Sequence, residues 1–144
     1  MAVKPVPEGY HTITPYLVVR GAGECIEFLK KAFGAEETFR MPMPGGKVGH
    51  AELRFNDSVL MIADENEGAP ARQAGIHLYV PDVDAVYKRA VDAGAKGQRP
   101  PADQFYGDRM GVVGDRWGNV WSIGTHKEDV PPEEMKRRMK EQKG

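Results

Sequence analysis

The chain has 144 residues, 40% of them hydrophobic, and its 20 Lys and Arg nearly balance its 21 Asp and Glu for a net charge of −1. That length fits one domain with a self-sufficient core, and the charge balance excludes a global field for nucleic acid or an anionic membrane. A lone Cys25 rules out an internal disulfide, SVLMIA is far too short to span a bilayer, and MAVKPVPEGYH lacks a signal-peptide run, so a soluble cytoplasmic protein without cofactor is expected.

Residues 13–19, ITPYLVV, predict a strand closed by Arg20-Gly21. Ile26, Leu29 and Phe33 then recur at helical spacing, and Gly34 is a helix stop. EETFRM and KVGHAELRF flank Pro44-Gly45-Gly46 as a hairpin, and Asn56-Asp57 turns the chain into SVLMIAD. After the polar stretch 65–74 the order recurs: strand GIHLYV, helix VDAVYKRAVDAG, a short strand near 97–99, a loop PPADQFYGD, strand RMGVVG, a turn at 115–118 and strand NVWSIGT. AFGAEE matches DAGAKG, and NDSVLMIA matches WGNVWSIG with Val59 over Val120 and Ile62 over Ile123. The expectation is a single domain, 1–144, built as module one (12–64), a linker (65–74), module two (75–126) and a helical tail (130–142), each module reading β-α-β-β-β. The tail, with Met135 and Met139 as its apolar edge, reads as a frayed or loosely docked solvated helix; Glu133, Glu134 and Glu141 offset KRRMK as a nucleic-acid patch.

Strand alternation assigns faces. Ala51, Leu53 and Phe55 pack toward a helix, leaving Val48, His50, Glu52 and Arg54 opposite; Ile13, Leu17 and Val19 likewise leave Thr14, Tyr16 and Val18. In the second module Ile76, Leu78, Trp121 and Ile123 are core, and His77, Tyr79, Val120 and Ser122 face away. A slip by one residue would expose Leu53 and Leu78 and send Glu52 and His77 under the helices, which fixes the register.

The doubled β-α-β-β-β unit, with TPYLVVRGAGECIEFLKKAFGAEE, GHAEL, DSVLMIADE, LYVPDVDAVYKRAVDAGA and DRWGNVWSI, resembles the vicinal-oxygen-chelate superfamily of glyoxalases, bleomycin-resistance proteins and extradiol dioxygenases. QFYGDR and a DxxGxxW pattern at Asp115, Gly118 and Trp121 resemble its glyoxalase-like, bleomycin-resistance-type branch. The resemblance covers roughly residues 12–127. It implies an α+β fold whose two modules form an incomplete barrel with a concave site, and a small organic molecule as partner, in a homodimer.

Metal-dependent members of that superfamily hold their ion with residues of the first, fourth, fifth and eighth strands. By the resemblance those positions here are Thr14, Met61, Gly75 and Ser122, none of them His, Glu or Gln, so no metal is expected at the usual centre. A ligand surface is expected from Tyr16 on the first strand, His50 and Glu52 on the third, Met61 on the fourth, His77 and Tyr79 on the fifth, Tyr106 and Arg109 in the QFYGDR segment, and Ser122 on the last strand. His50, Glu52 and His77 are the candidate catalytic groups. They could supply a displaced metal site or a His–Glu acid–base pair, making the protein a lyase, isomerase or dioxygenase; or they could hydrogen-bond across strands in a protein that binds without catalysis. Tyr106 either walls the site or plugs the core, and Cys25 reads as a packing thiol.

Overall fold

The computed structural model describes residues 2–143. It is an α+β fold in the order β1 (Tyr16–Val19), α1 (Ala22–Phe33), β2 (Glu36–Met43), β3 (Lys47–Phe55), β4 (Ser58–Asp64), β5 (Gly75–Tyr79), α2 (Val83–Asp92), β6 (Lys96–Asp103), β7 (Asp108–Gly114), β8 (Val120–His126) and α3 (Pro132–Lys143). The chain divides into two compact units between Ala74 and Gly75. The first carries an open sheet of order β1-β4-β3-β2, the second one of order β5-β8-β7-β6. In each the first strand runs parallel to the last, and the remaining pairs are antiparallel. The doubled β-α-β-β-β order is therefore present, as two four-stranded mixed sheets that do not close into a barrel.

In the first unit the chain turns into α1 through Gly21, whose φ of 88° suits a residue without Cβ. The Gly21 and Ala22 amides both donate to Asp64 Oδ1 at 2.9 Å, and Val48 N donates to Asp64 Oδ2 at 2.7 Å. One carboxylate at the end of β4 thus ties the helix entry to the start of β3. α1 buries Cys25, Ile26, Phe28 and Leu29, and Leu17, Val19, Ala51, Leu53 and Ile62 are buried on the sheet. Two face assignments need correction. Ile13 is 85% exposed and lies outside β1, because Pro15, next to the strand, has no N–H to give a ladder. Val48 is only 2% exposed. Met41 pairs with His50 and Pro42 with Val48, so Gly49 is skipped and the alternation resets.

In the second unit Asp82 caps α2 by accepting from Ala85 N at 3.2 Å. The short strand expected at 97–99 is the eight-residue β6, running through Pro100-Pro101 with register shifts on either side of Arg99. Proline is tolerated there because β6 is an edge strand, and the expected long loop shrinks to residues 104–107. The DRWGNVW turn is organised by Asp115. Its Oδ1 accepts from Trp117 N and Asn119 N at 2.9 Å each, and its Oδ2 from Asn119 Nδ2 at 3.1 Å and Trp121 Nε1 at 2.9 Å. That explains the Asp and Trp of the motif, and Gly118 at φ 86° supplies the left-handed residue between them. The tail helix α3 is largely exposed and docks through Arg138, whose Nη1 reaches the Phe105 carbonyl at 3.1 Å and Glu128 at 2.6 Å.

Candidate functional site

On the first sheet, register sets Met61 beside Tyr16 of β1 and beside Glu52 of β3. Their neighbours Leu17, Leu53 and Ile62 are buried, so Tyr16, His50, Glu52 and Met61 share the face turned away from the core. They are joined by a run of polar contacts. Tyr16 Oη lies 3.0 Å from His50 Nδ1, and His50 Nε2 lies 3.0 Å from Glu52 Oε2. A single tautomer satisfies both contacts, with Nε2–H donating to the carboxylate and Nδ1 accepting from the tyrosine hydroxyl. Tyr16, 47% exposed, and Phe39 on β2 flank the imidazole with ring centroids 5.6 and 6.2 Å away.

Glu52 has a further partner from outside the sheet. The Tyr10 hydroxyl acts on its carboxylate and, with His50 adding to the lowering, holds Glu52 below the usual carboxylate range against the opposing effect of burial. Burial and that same carboxylate push Tyr10 up to about 12. Tyr10 belongs to the segment preceding β1, which lies over this face. Between that segment, at Pro5, Val6, Pro7 and Tyr10, and the sheet, at Glu52 and Met61, is an open cavity of about 420 Å³, which His11, Thr12 and Thr14 also line. That volume falls in the range of small-molecule pockets, roughly 300–1,000 Å³.

On the second sheet His77 pairs with Ser122 and Tyr79 with Gly124, both on the face opposite Leu78 and Trp121. The His77 and Tyr79 rings meet edge-on at 4.7 Å. Tyr79 is 66% exposed, yet its hydroxyl donates to Asp108 Oδ2 at 2.8 Å. Asp108 Oδ1 contacts His126 Nδ1 at 2.7 Å, and His126 Nε2 contacts Asp129 at 2.7 Å. Burial acts to raise the Asp108 pKa, but the bonds from His126 and Tyr79 outweigh it and the net shift is downward. His126 is raised, first by Asp108 and then by Asp129. Asp108 therefore pairs with Tyr79 and His126, not with Arg109, whose guanidinium engages Asp84 at 2.8 Å and Asp103 at 3.3 Å. Tyr106 is half-buried, its hydroxyl 3.2 Å from Met110 Sδ and its ring edge-on to Phe105. The Gly107 carbonyl accepts the amides of Lys127 and Glu128, and a Cβ there would sit 2.3 Å from the Glu128 carbonyl oxygen. QFYG is thus the seat of the segment after β8.

The nine residues expected to form a ligand surface accordingly fall into two sets. Tyr16, His50, Glu52 and Met61 are brought together on the first sheet; His77, Tyr79 and Ser122 adjoin on the second, with Tyr106 and Arg109 at its loop edge. Sequence reasoning missed Tyr10 and Phe39. A Pro-rich opening ending in an aromatic was the available signal for the first. Among the described residues no group of three or more His, Cys, Asp and Glu stands together as a metal ion would need, and no helix is long and apolar enough to cross a membrane.

Two mixed sheets of this strand order define a glyoxalase-type architecture, and the sequence matches the model of the Glyoxalase/Bleomycin resistance protein/Dioxygenase superfamily over residues 10–123. The chain belongs to that superfamily. Among its relatives are an uncharacterized protein of Mycobacterium bovis, Mb0911c, 40% identical over 141 residues that cover 90% of this chain and 93% of that one, and Rv0887c of Mycobacterium tuberculosis H37Rv, also 40% identical, over 90% of this chain and 83% of that one. Of solved structures, TioX from Micromonospora sp. ML1 superimposes with a TM-score of 0.68 at 25% identity, covering 81% of this chain and 98% of its own. TnmS3, an antibiotic binding protein from Streptomyces sp. CB03234, superimposes with a TM-score of 0.65 at 21% identity, over 88% of this chain and 99% of its own; at that identity the likeness is one of fold.

Proposed function

We propose that this chain binds a small organic molecule and works without the metal centre of its metal-dependent relatives. The donor set carries the reading. Of the four positions at which those relatives hold their ion, Thr14 and Met61 lie in the first unit and Gly75 and Ser122 in the second. Neither pair offers an imidazole or carboxylate: two hydroxyls are weak neutral ligands, a thioether prefers soft ions, and glycine brings no side chain. These residues do not fit the metal. What the faces do offer is aromatic surface with few polar anchors, Tyr16, His50, Glu52 and Met61 on one sheet and His77, Tyr79 and Ser122 on the other, bordered by Tyr106 and Arg109. Each face by itself has the composition of a ligand surface, and TnmS3 is by its description a binding protein of the same fold.

Elemental analysis of the purified protein tests this. No stoichiometric Zn, Ni, Fe or Mn is expected, and turnover of the hemithioacetal of glutathione and methylglyoxal should be undetectable even with added divalent ions. One tightly held metal per chain, lost on replacing His50 or His77, would overturn it. The 3.0 Å His50–Glu52 contact favours a second reading as a lyase, isomerase or dioxygenase that uses this pair as acid and base; metal-independent turnover abolished in Glu52→Gln would establish it. We propose that the protein works in the cytoplasm as a homodimer; sedimentation of the purified chain checks the dimer, and cell fractionation the location.

A further inference from the structure

Resting on the small-molecule reading of this face, we propose that the cavity under the N-terminal segment selects an organic cation, an ammonium group carried on a compact apolar body. Its walls are the apolar Pro5, Val6 and Pro7 with the Met61 thioether, and its floor presents the Glu52 carboxylate. Among the described residues the groups acting on that carboxylate are the Tyr10 hydroxyl and the His50 imidazole, the latter by charge as well as by hydrogen bond, and no Lys or Arg. The neutral tautomer fits both His50 contacts, and so does the doubly protonated ring; with the neutral ring, hydrogen bonds satisfy the carboxylate while its charge meets no fixed cation among the described residues. A half-buried anion in apolar surroundings gains most from an opposite charge delivered with its own apolar cover, because that cover excludes the water that would screen the pair. The Tyr10 ring at the wall adds a face on which an ammonium group can rest. A carboxylate ligand would meet Glu52 as a like charge, and an alcohol would gain no ionic contact.

The test uses three probes with one ring system on the full-length protein at pH 8, above the ordinary range of imidazole: 2-naphthylmethylamine, 2-naphthylmethanol and 2-naphthoate, titrated calorimetrically. The ammonium probe should bind about tenfold or more tighter than the alcohol, and the naphthoate should bind weakest. Glu52→Gln should bring amine and alcohol to equal affinity. Met61→Trp, which fills the cavity from the sheet side, should abolish binding of all three. The charge ranking in the unaltered protein needs no variant, so a Glu52→Gln chain that failed to fold would not remove the test. Equal binding of all three, or an amine preference that survives Glu52→Gln, would overturn the cation assignment and leave the small-molecule reading standing. Absence of binding by every probe would overturn the assignment, whereas a metal in the purified protein would strike the underlying reading instead.

Discussion

In the first unit α1 lays Ala22, Cys25, Ile26, Phe28, Leu29 and Ala32 into the core, whereas α2 of the second buries just Val83 and Ala90. The second unit relies instead on Trp121 and on two carboxylates with several donors each, Asp115 and Asp108. In the first, Asp64 gathers three backbone amides, and Glu37 and Glu52 also take more than one partner each. Identical strand orders are therefore held with unequal helix burial, deep apolar packing under α1 and little under α2. Duplication constrains the path of the chain far more than the chemistry that secures it.

The sharpest break of that contrast comes from the helices. Leu29→Ala should cost about 2–5 kcal/mol, the range for emptying a closed aliphatic site, while Val86→Ala on half-buried α2 should cost about 1 kcal/mol. Urea unfolding followed by far-ultraviolet circular dichroism measures both, and equal losses would erase the distinction between the helices. Next come the carboxylates. Asp115→Asn turns an amide toward either the buried Trp121 Nε1 or two backbone N–H groups and should cost about 2–3 kcal/mol; Asp64→Asn can spare two of its three bonds and should cost about 1–2 kcal/mol. Both tryptophans, Trp117 and Trp121, lie in the second unit, so their fluorescence reads Asp115→Asn while far-ultraviolet circular dichroism reads Asp64→Asn, and a larger loss for Asp64→Asn would reverse the proposed ranking.

A third effect is one of pH. His126 has its folded pKa raised above 6.5, so its contribution is complete below that value and fades as pH rises through the raised one. Asp64 is lowered below 3.8, the amides of Val48, Ala22 and Gly21 overcoming burial, so its contribution is complete above 3.8 and fades as pH falls through the lowered value. The tryptophan-reported melting temperature should thus decline between pH 6 and 9, and His126→Ala should flatten that decline; an unchanged slope in the variant would refute the assignment. The smallest effect expected is that of Arg109→Ala. Its ion pairs with Asp84 and Asp103 face solvent, so the thermal midpoint should move by the equivalent of less than about 1 kcal/mol, and a larger drop would make the QFYGDR segment part of the second unit's core.

The order of elements was legible because each depends on neighbours in sequence: the spacing of Ile26, Leu29 and Phe33, the stop at Gly34, the alternation that buries Leu53 and Trp121. So was the placing of His50 and Glu52 away from the helix, since the opposite register would bury charge. What stayed hidden were contacts made across the chain. Asp64 serves amides 42 and 43 residues earlier, and nothing local marks it as an acceptor. The Gly49 bulge that buries Val48 appears only once Pro42 is opposite it. Tyr10 was overlooked because the opening segment has no periodicity, and its partner Glu52 lies on another element. Of the site, the face was readable and its outer wall was not.

The parallel pairing of β1 with β4 also sets a timetable for biosynthesis. Tyr16 finds its partner in Met61, so the first sheet cannot be completed until β4 has cleared the ribosome, and its hairpin strands β2 and β3 must wait with one edge unfilled. Once β4 is out, every ladder of that sheet is available while the second unit is still being translated. At roughly 5–20 residues per second the nascent chain then has several seconds in which the first unit can fold alone, and a synonymous change that slowed translation just after the linker would lengthen that interval without altering a single atom of the product.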